Sequence, residues 1–237
     1  MRIFASSRGR LGASGFGAAL LVAALLAGCG GAGTPSAAQI IAQSEAKTAA
    51  LKSFHVVVNI EHVPTPATGM SIKFLEGDLV VPDRLHAHLS GTLNGVPLTT
   101  ELIAVGAKHF LKDPFSGAWR TVDLATTPMA FFDPAKGVLA VIRGAAGATM
   151  SGSEDVGGVP SYRIAATVRA DALTPLLGNP ATSARLPVQL WIGKRDKLLR
   201  RISLAGATTA KENATAIRTV ELSAFGESVR IVVPAPA

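Results

Sequence analysis

The chain has one cysteine among 237 residues, few aromatics (5%), and little charge (16%) for its length. A lone thiol cannot close an intramolecular disulfide, so stability cannot come from a disulfide framework. A catalytic thiolate needs a histidine or a helix N-terminus nearby to lower its pKa. Cys29 instead follows an apolar run and precedes glycines, in "LLAGCGGAG". Scarce aromatics leave the 48% hydrophobic stock mostly aliphatic and small. No Gly-x-Ser-x-Gly elbow, phosphate-cradling loop or dinucleotide fingerprint occurs, which removes the usual frames for acyl transfer and nucleotide chemistry. No catalytic residues, no cofactor and no metal are expected.

The opening "MRIFASSRGR" carries Arg2, Arg8 and Arg10 without an acid, and residues 11–27 are uncharged and apolar. That order is a secretory signal. An uncleaved membrane helix is the alternative, but the run is short of the about 20 residues a span needs. Without residues 1–28, which hold three arginines and no acid, the formal charge falls from +7 to +4. The densest basic cluster is Lys194, Arg195, Lys197, Arg200 and Arg201. No aromatics interleave there as on a nucleic-acid platform, so no nucleic-acid partner is expected. A solvated hairpin end is the reading, with contact to anionic headgroups behind it.

"GGAGTPSA" after Cys29 is a flexible tether, and residues 38–237 read as one domain. A helix is expected from an N-cap at Ser36, with Ile40, Ser44, Thr48 and Leu51 as its stripe. Strands follow by alternation. In "FHVVVNIEH" the residues Phe54, Val56, Val58 and Ile60 share a face; in "RLHAHLSGTL" Leu85, Ala87, Leu89, Gly91 and Leu93 do. Further strands fit "MSIKFLEGDLVV", "VPLTTELIAV", "KHFLK", "AWRTVD", "VPSYRIAATV", "LPVQLWIG", "LLRRISLAG", "TAIRTVELSAFG" and a closing "VRIVV". Turns fall at Pro82-Asp83, Asn94-Gly95, Gly157-Gly158 and Arg195-Asp196. A second helix starts at Asp133-Pro134 and runs through "AKGVLAVIRGA", and a third covers residues 171–178. About ten strands and three helices make an antiparallel meander with one apolar face. It either packs on itself as a sandwich or curls around something apolar.

His86-x-His88 puts two imidazoles on one strand face, half of a zinc site. No third ligand is evident in the sequence beside them, with His62 and Asp83 the nearest options. A solvated strand face is the simpler reading. Asp171, Glu154 and Asp155 sit at element ends, where capping and solvation account for them.

Several stretches carry a resemblance. Leu26-Ala27-Gly28-Cys29 resembles the lipobox of bacterial lipoproteins, in which the cysteine is lipidated and the chain is cut before it. "AKTAALKSFHVVVNI", "FFDPAKGVLAVI", "SEDVGGVPSYRIAATVRADAL", "LPVQLWIGKRDKLLRRISL" and "VELSAFGESVRIVVP" are similar, in order, to the LppX/LprG-type lipoproteins of actinobacterial envelopes. This implies an α+β half-barrel: a long antiparallel sheet curved around an apolar cavity, with helices on its concave side. The implied partners are an acyl lipid or glycolipid, the plasma membrane outside the cytoplasm through Cys29, and a membrane lipid exporter. Phe54, Val56, Val58, Ile60, Leu85, Ala87 and Leu89, with Val138, Val141 and Ile142 of the second helix, would line the cavity. Carriage of lipid away from the plasma membrane is the expected function. The alternative is an envelope adaptor or sensor whose sheet closes on a filled core.

Overall fold

The fold was analysed in a computed structural model that describes residues 35–64, 70–122, 137–173, 184–208 and 212–234. Residues 1–28, Cys29 and the Asp133-Pro134 helix start lie outside these. The chain enters through helix α1 (Ala37–Ala49). Ser36 Oγ accepts from the Gln39 N–H, and Gln39 Oε1 accepts from the Ser36 N–H at 2.9 Å. This reciprocal box satisfies two otherwise orphaned donors.

Strands β1 (Ser53–Glu61), β2 (Met70–Val80), β3 (Arg84–Leu93), β4 (Val96–Val105), β5 (Lys108–Lys112) and β6 (Trp119–Val122) form the first meander. After helix α2 (Val138–Gly144), β7 (Ala146–Val156) and β8 (Val159–Arg169) lead into a 3₁₀ turn at Ala170–Leu173. Strands β9 (Arg185–Gly193), β10 (Leu199–Ala205) and β11 (Ile217–Ser223) complete the second meander. All eleven join one antiparallel sheet in the order β6-β5-β4-β3-β2-β1-β11-β10-β9-β8-β7. The sheet is open, with β6 and β7 at its edges. Strands β6 and β7, consecutive in the chain, therefore lie farthest apart, and β1–β11 is the one pairing between the meanders.

Four expectations change. Strand β7 does not alternate in sequence: it is exposed along nearly its whole length and is broken by register shifts at Ala146/Thr149 and Met150/Gly152. Its Gly157-Gly158 turn, with both φ positive, and its partner β8 are what make it a strand. "VRIVV" is not a strand. Both neighbours of β1 are already paired, and the tail is held by Ser53 Oγ donating to Glu227 O (2.6 Å) and Arg84 donating to Ile231 O (2.9 Å). On β3 the buried face ends at Leu89, and Leu93 is 47% exposed where the strand runs out to the Asn94-Gly95 turn. The helix expected over residues 171–178 is a 3₁₀ turn through Leu173, and the rest lies outside the described residues.

One buried ion pair closes the β10–β11 connection. Glu212 Oε2 lies 2.6 Å from Arg218 Nη2 and also accepts from the N–H and hydroxyl of Thr208. Burial pushes the Glu212 carboxyl up, but the Thr208 hydrogen bonds and the Arg218 guanidinium outweigh it and hold it below the usual carboxylate range. A carboxyl lowered in the folded state stabilises the fold above its ordinary pKa and loses that contribution as pH falls through the folded value. Glu212→Gln should therefore lower the melting temperature at pH 7 by on the order of 10 °C, since it leaves a buried guanidinium unpaired. The gap to wild type should narrow below about pH 4. Calorimetry at both pH values checks this.

Candidate functional site

Cross-strand register builds the inner face as three parallel rows. In the middle row Leu222 (β11) stands beside Val56 (β1), Gly77 (β2), Ala87 (β3) and Leu102 (β4). On one side run Phe54, Leu79, Leu85 and Ala104; on the other, Val220, Val58, Leu75, Leu89 and Thr100. At the centre of the middle row the small Gly77 and Ala87 stand between Leu79 and Leu85 on one side and Leu75 and Leu89 on the other. At about 4.8 Å per strand the row crosses five strands in about 19 Å. The result is a continuous apolar face across the strands, buried in the core cluster.

The residues expected to line a cavity do gather here. Phe54, Val56, Val58, Leu85, Ala87 and Leu89 share one buried cluster with Val138, Val141 and Ile142 of α2, and Ile60 packs against its border. Leu139 joins them, so four of the seven α2 residues are buried. Helix α1 adds Ala37, Ile40 and Ile41. Its stripe continues with Ser44 and Thr48, whose hydroxyls are buried without a hydrogen-bond partner. An unmet buried hydroxyl costs about 1–3 kcal/mol. In the sequence these two were legible only as weak members of an apolar stripe.

The outer face is polar and charged. His86 Nε2 stands 3.2 Å from Glu101 Oε2, and Lys112 Nζ stands 2.6 Å from Glu101 Oε1. The Lys112 hydrogen bond holds the Glu101 carboxyl below its usual range against the opposing effect of burial, with His86 assisting. On the other side of β3, Asp78 is the register partner of His86, and Glu76 that of His88. The third group beside the two imidazoles is thus Glu101, which cross-strand register delivers and sequence spacing hides. His62 is engaged elsewhere, with Thr215 O.

The basic cluster is likewise tied into the sheet. Arg201 pairs with Glu221 and Glu154 and stacks 5.2 Å from the Trp191 ring centroid. Lys194 and Lys197 sit over Tyr162, and Arg200 over Phe225. Aromatics absent from the local sequence are supplied by neighbouring strands. Asp171 pairs with Arg169, and Glu154 accepts from Trp191 Nε1, so these acids hold structure beyond capping it.

Residues 36–231 match the model of the LppX_LprAFG lipoprotein family. The chain belongs to that family. It is a lipid-carrier lipoprotein family and not an enzyme family. The lipoarabinomannan carrier protein LprG of Mycobacterium tuberculosis is 25% identical over 226 residues, covering 90% of this chain and 91% of that one. Among solved structures, LprF of Mycobacterium bovis superposes with a TM-score of 0.66 at 22% identity, covering 86% of this chain and all of that one. LppX of M. tuberculosis superposes with a TM-score of 0.60 at 21% identity, covering 82% and 97%. Both share the fold. Among the described residues no helix is long and apolar enough to cross a membrane.

The close approach of β2 and β3 at Gly77 is testable. A Cβ added at Gly77 would lie 2.3 Å from His86 O and 2.6 Å from Ala87 Cβ. Gly77→Ala must push β2 and β3 apart or lose their register, and overpacking of this kind costs about 1–3 kcal/mol. A fall of roughly 5 °C in melting temperature is expected, and an unchanged melting curve would contradict the close approach.

Proposed function

We propose that the protein is an envelope lipoprotein, anchored by diacylglycerol on Cys29, that binds a multi-acyl lipid or glycolipid in an apolar cavity along its inner face. It carries that lipid away from the plasma membrane, outside the cytoplasm, in exchange with a membrane lipid exporter. Membership of the LppX_LprAFG lipoprotein family carries this reading. The apolar inner face supports it: each methylene buried against it would contribute about 0.8 kcal/mol, so two long acyl chains would bind without a polar pocket. Ser44 and Thr48 supply donors at the one polar break on α1, where ester oxygens of the ligand would meet them. No nucleophile or cofactor is assigned, because carriage makes and breaks no bond.

A second reading, an adaptor or sensor with a filled core, is favoured by one observation: Ala87 is 0% exposed. The substitution Ala87→Trp separates the two. In a carrier the indole takes volume otherwise given to acyl chain, so the delipidated protein melts almost unchanged while lipid in organic extracts drops sharply. In a filled core the same change overpacks and costs about 1–3 kcal/mol or more. Destabilisation, with no lipid in the wild-type extract by mass spectrometry, would end the carrier reading.

Anchoring has its own test. Two acyl chains suffice for stable membrane attachment, so Cys29→Ala should accumulate as uncleaved precursor, or be shed if cut elsewhere. Normal processing and membrane retention of that variant, followed by immunoblot of membrane and soluble fractions, would remove the anchor.

A further inference from the structure

The outer face of β3 and β4 holds a donor set unrelated to lipid. A ring nitrogen from each of His86 and His88 and a carboxylate oxygen of Glu101 all lie within 4.8 Å of one another. The two rings, with centroids 5.7 Å apart, come from one strand at i and i+2, and the carboxylate from the register partner of His88. We infer that His86, His88 and Glu101 form a binding site for one transition-metal dication of the zinc class, with a fourth position open to water.

Two imidazoles and one carboxylate are the donors that zinc takes at about 2.0–2.2 Å, and tetrahedral bonds of that length separate ligand atoms by roughly 3.4 Å. His86 Nε2 and Glu101 Oε2 already stand 3.2 Å apart. Nitrogen donors select zinc, copper and nickel over magnesium and calcium, which want oxygen alone. The surroundings favour a cation. Glu76 and Asp78 stand opposite His88 and His86 on β2. Lys112, paired with the other Glu101 oxygen, opposes them. The donor atoms, within 4.8 Å of one another, sit on partly exposed rings whose rotation is the movement closure onto one ion would use. A bound dication would tie β3 to β4 from behind the lipid face and raise the stability of that pairing by mass action.

The test uses the metal-stripped full-length chain in detergent, zinc chloride as the probe, and equilibrium dialysis with elemental counting. One zinc per chain and a zinc-dependent rise in melting temperature are expected. His86→Gln combined with His88→Gln should bring retained zinc to background, while His62→Gln and His109→Gln should leave it at one. Glu101→Gln should weaken binding by at least about tenfold, and Lys112→Met, which removes a positive charge and frees a carboxylate oxygen, should tighten it. Circular dichroism establishes that each variant is folded; if the double variant is not, the Glu101 and Lys112 variants decide. Wild-type protein without stoichiometric zinc, zinc undiminished in the double variant, or an affinity indifferent to both Glu101→Gln and Lys112→Met would each overturn the site.

Discussion

The sheet depends on the ladder between β1 and β11. Each meander is built from neighbours in sequence, joined by connections of at most about fifteen residues, whose closure costs little more entropy than a tight turn. Only β1 and β11, at nearly opposite ends of the domain, make the two into one sheet. Seven register pairs from His55↔Ser223 to Glu61↔Ile217 do this. They also place Leu222 beside Val56 and Val220 beside Val58, which extends the inner rows across the seam. Slippage by one residue would turn Phe54, Val56 and Val58 outward and His55, Val57 and Asn59 inward. The apolar inner face therefore enforces the register that assembles it.

Alternation in β1 and β3 was readable because each strand buries one face and solvates the other, so the period of two survives in the residues. Val138, Val141 and Ile142 were named through the resemblance of "FFDPAKGVLAVI" to the family's helix over the sheet, and they do lie in the buried cluster. Strand β7 was not, because an exposed edge imposes no such pattern and glycines bend it. "VRIVV" has strand composition but no free backbone ladder beside it, and composition cannot reveal whether an edge is available. The buried partners Glu212 and Arg218 and the triad around Glu101 share a third difficulty. Their members are drawn together by register across a hairpin or loop, which only pairing defines.

The same strands serve two chemistries because successive side chains leave on opposite faces. On β3, Leu85, Ala87 and Leu89 face the core while His86 and His88 face out, so neither set can shift register without the other. An inner face meant to exchange one apolar occupant for another gains little directional bonding from that occupant. The directional contacts have to come from elsewhere. Many of them lie on the outer face, in the His55–Asp78 contact at 2.8 Å, the Glu101 pairs and the Arg201 pairs to Glu154 and Glu221. Partly exposed pairs of this kind contribute little each. Their value is positional: like-charge contacts in any shifted register would be unfavourable, so the charged back of the sheet holds strand order.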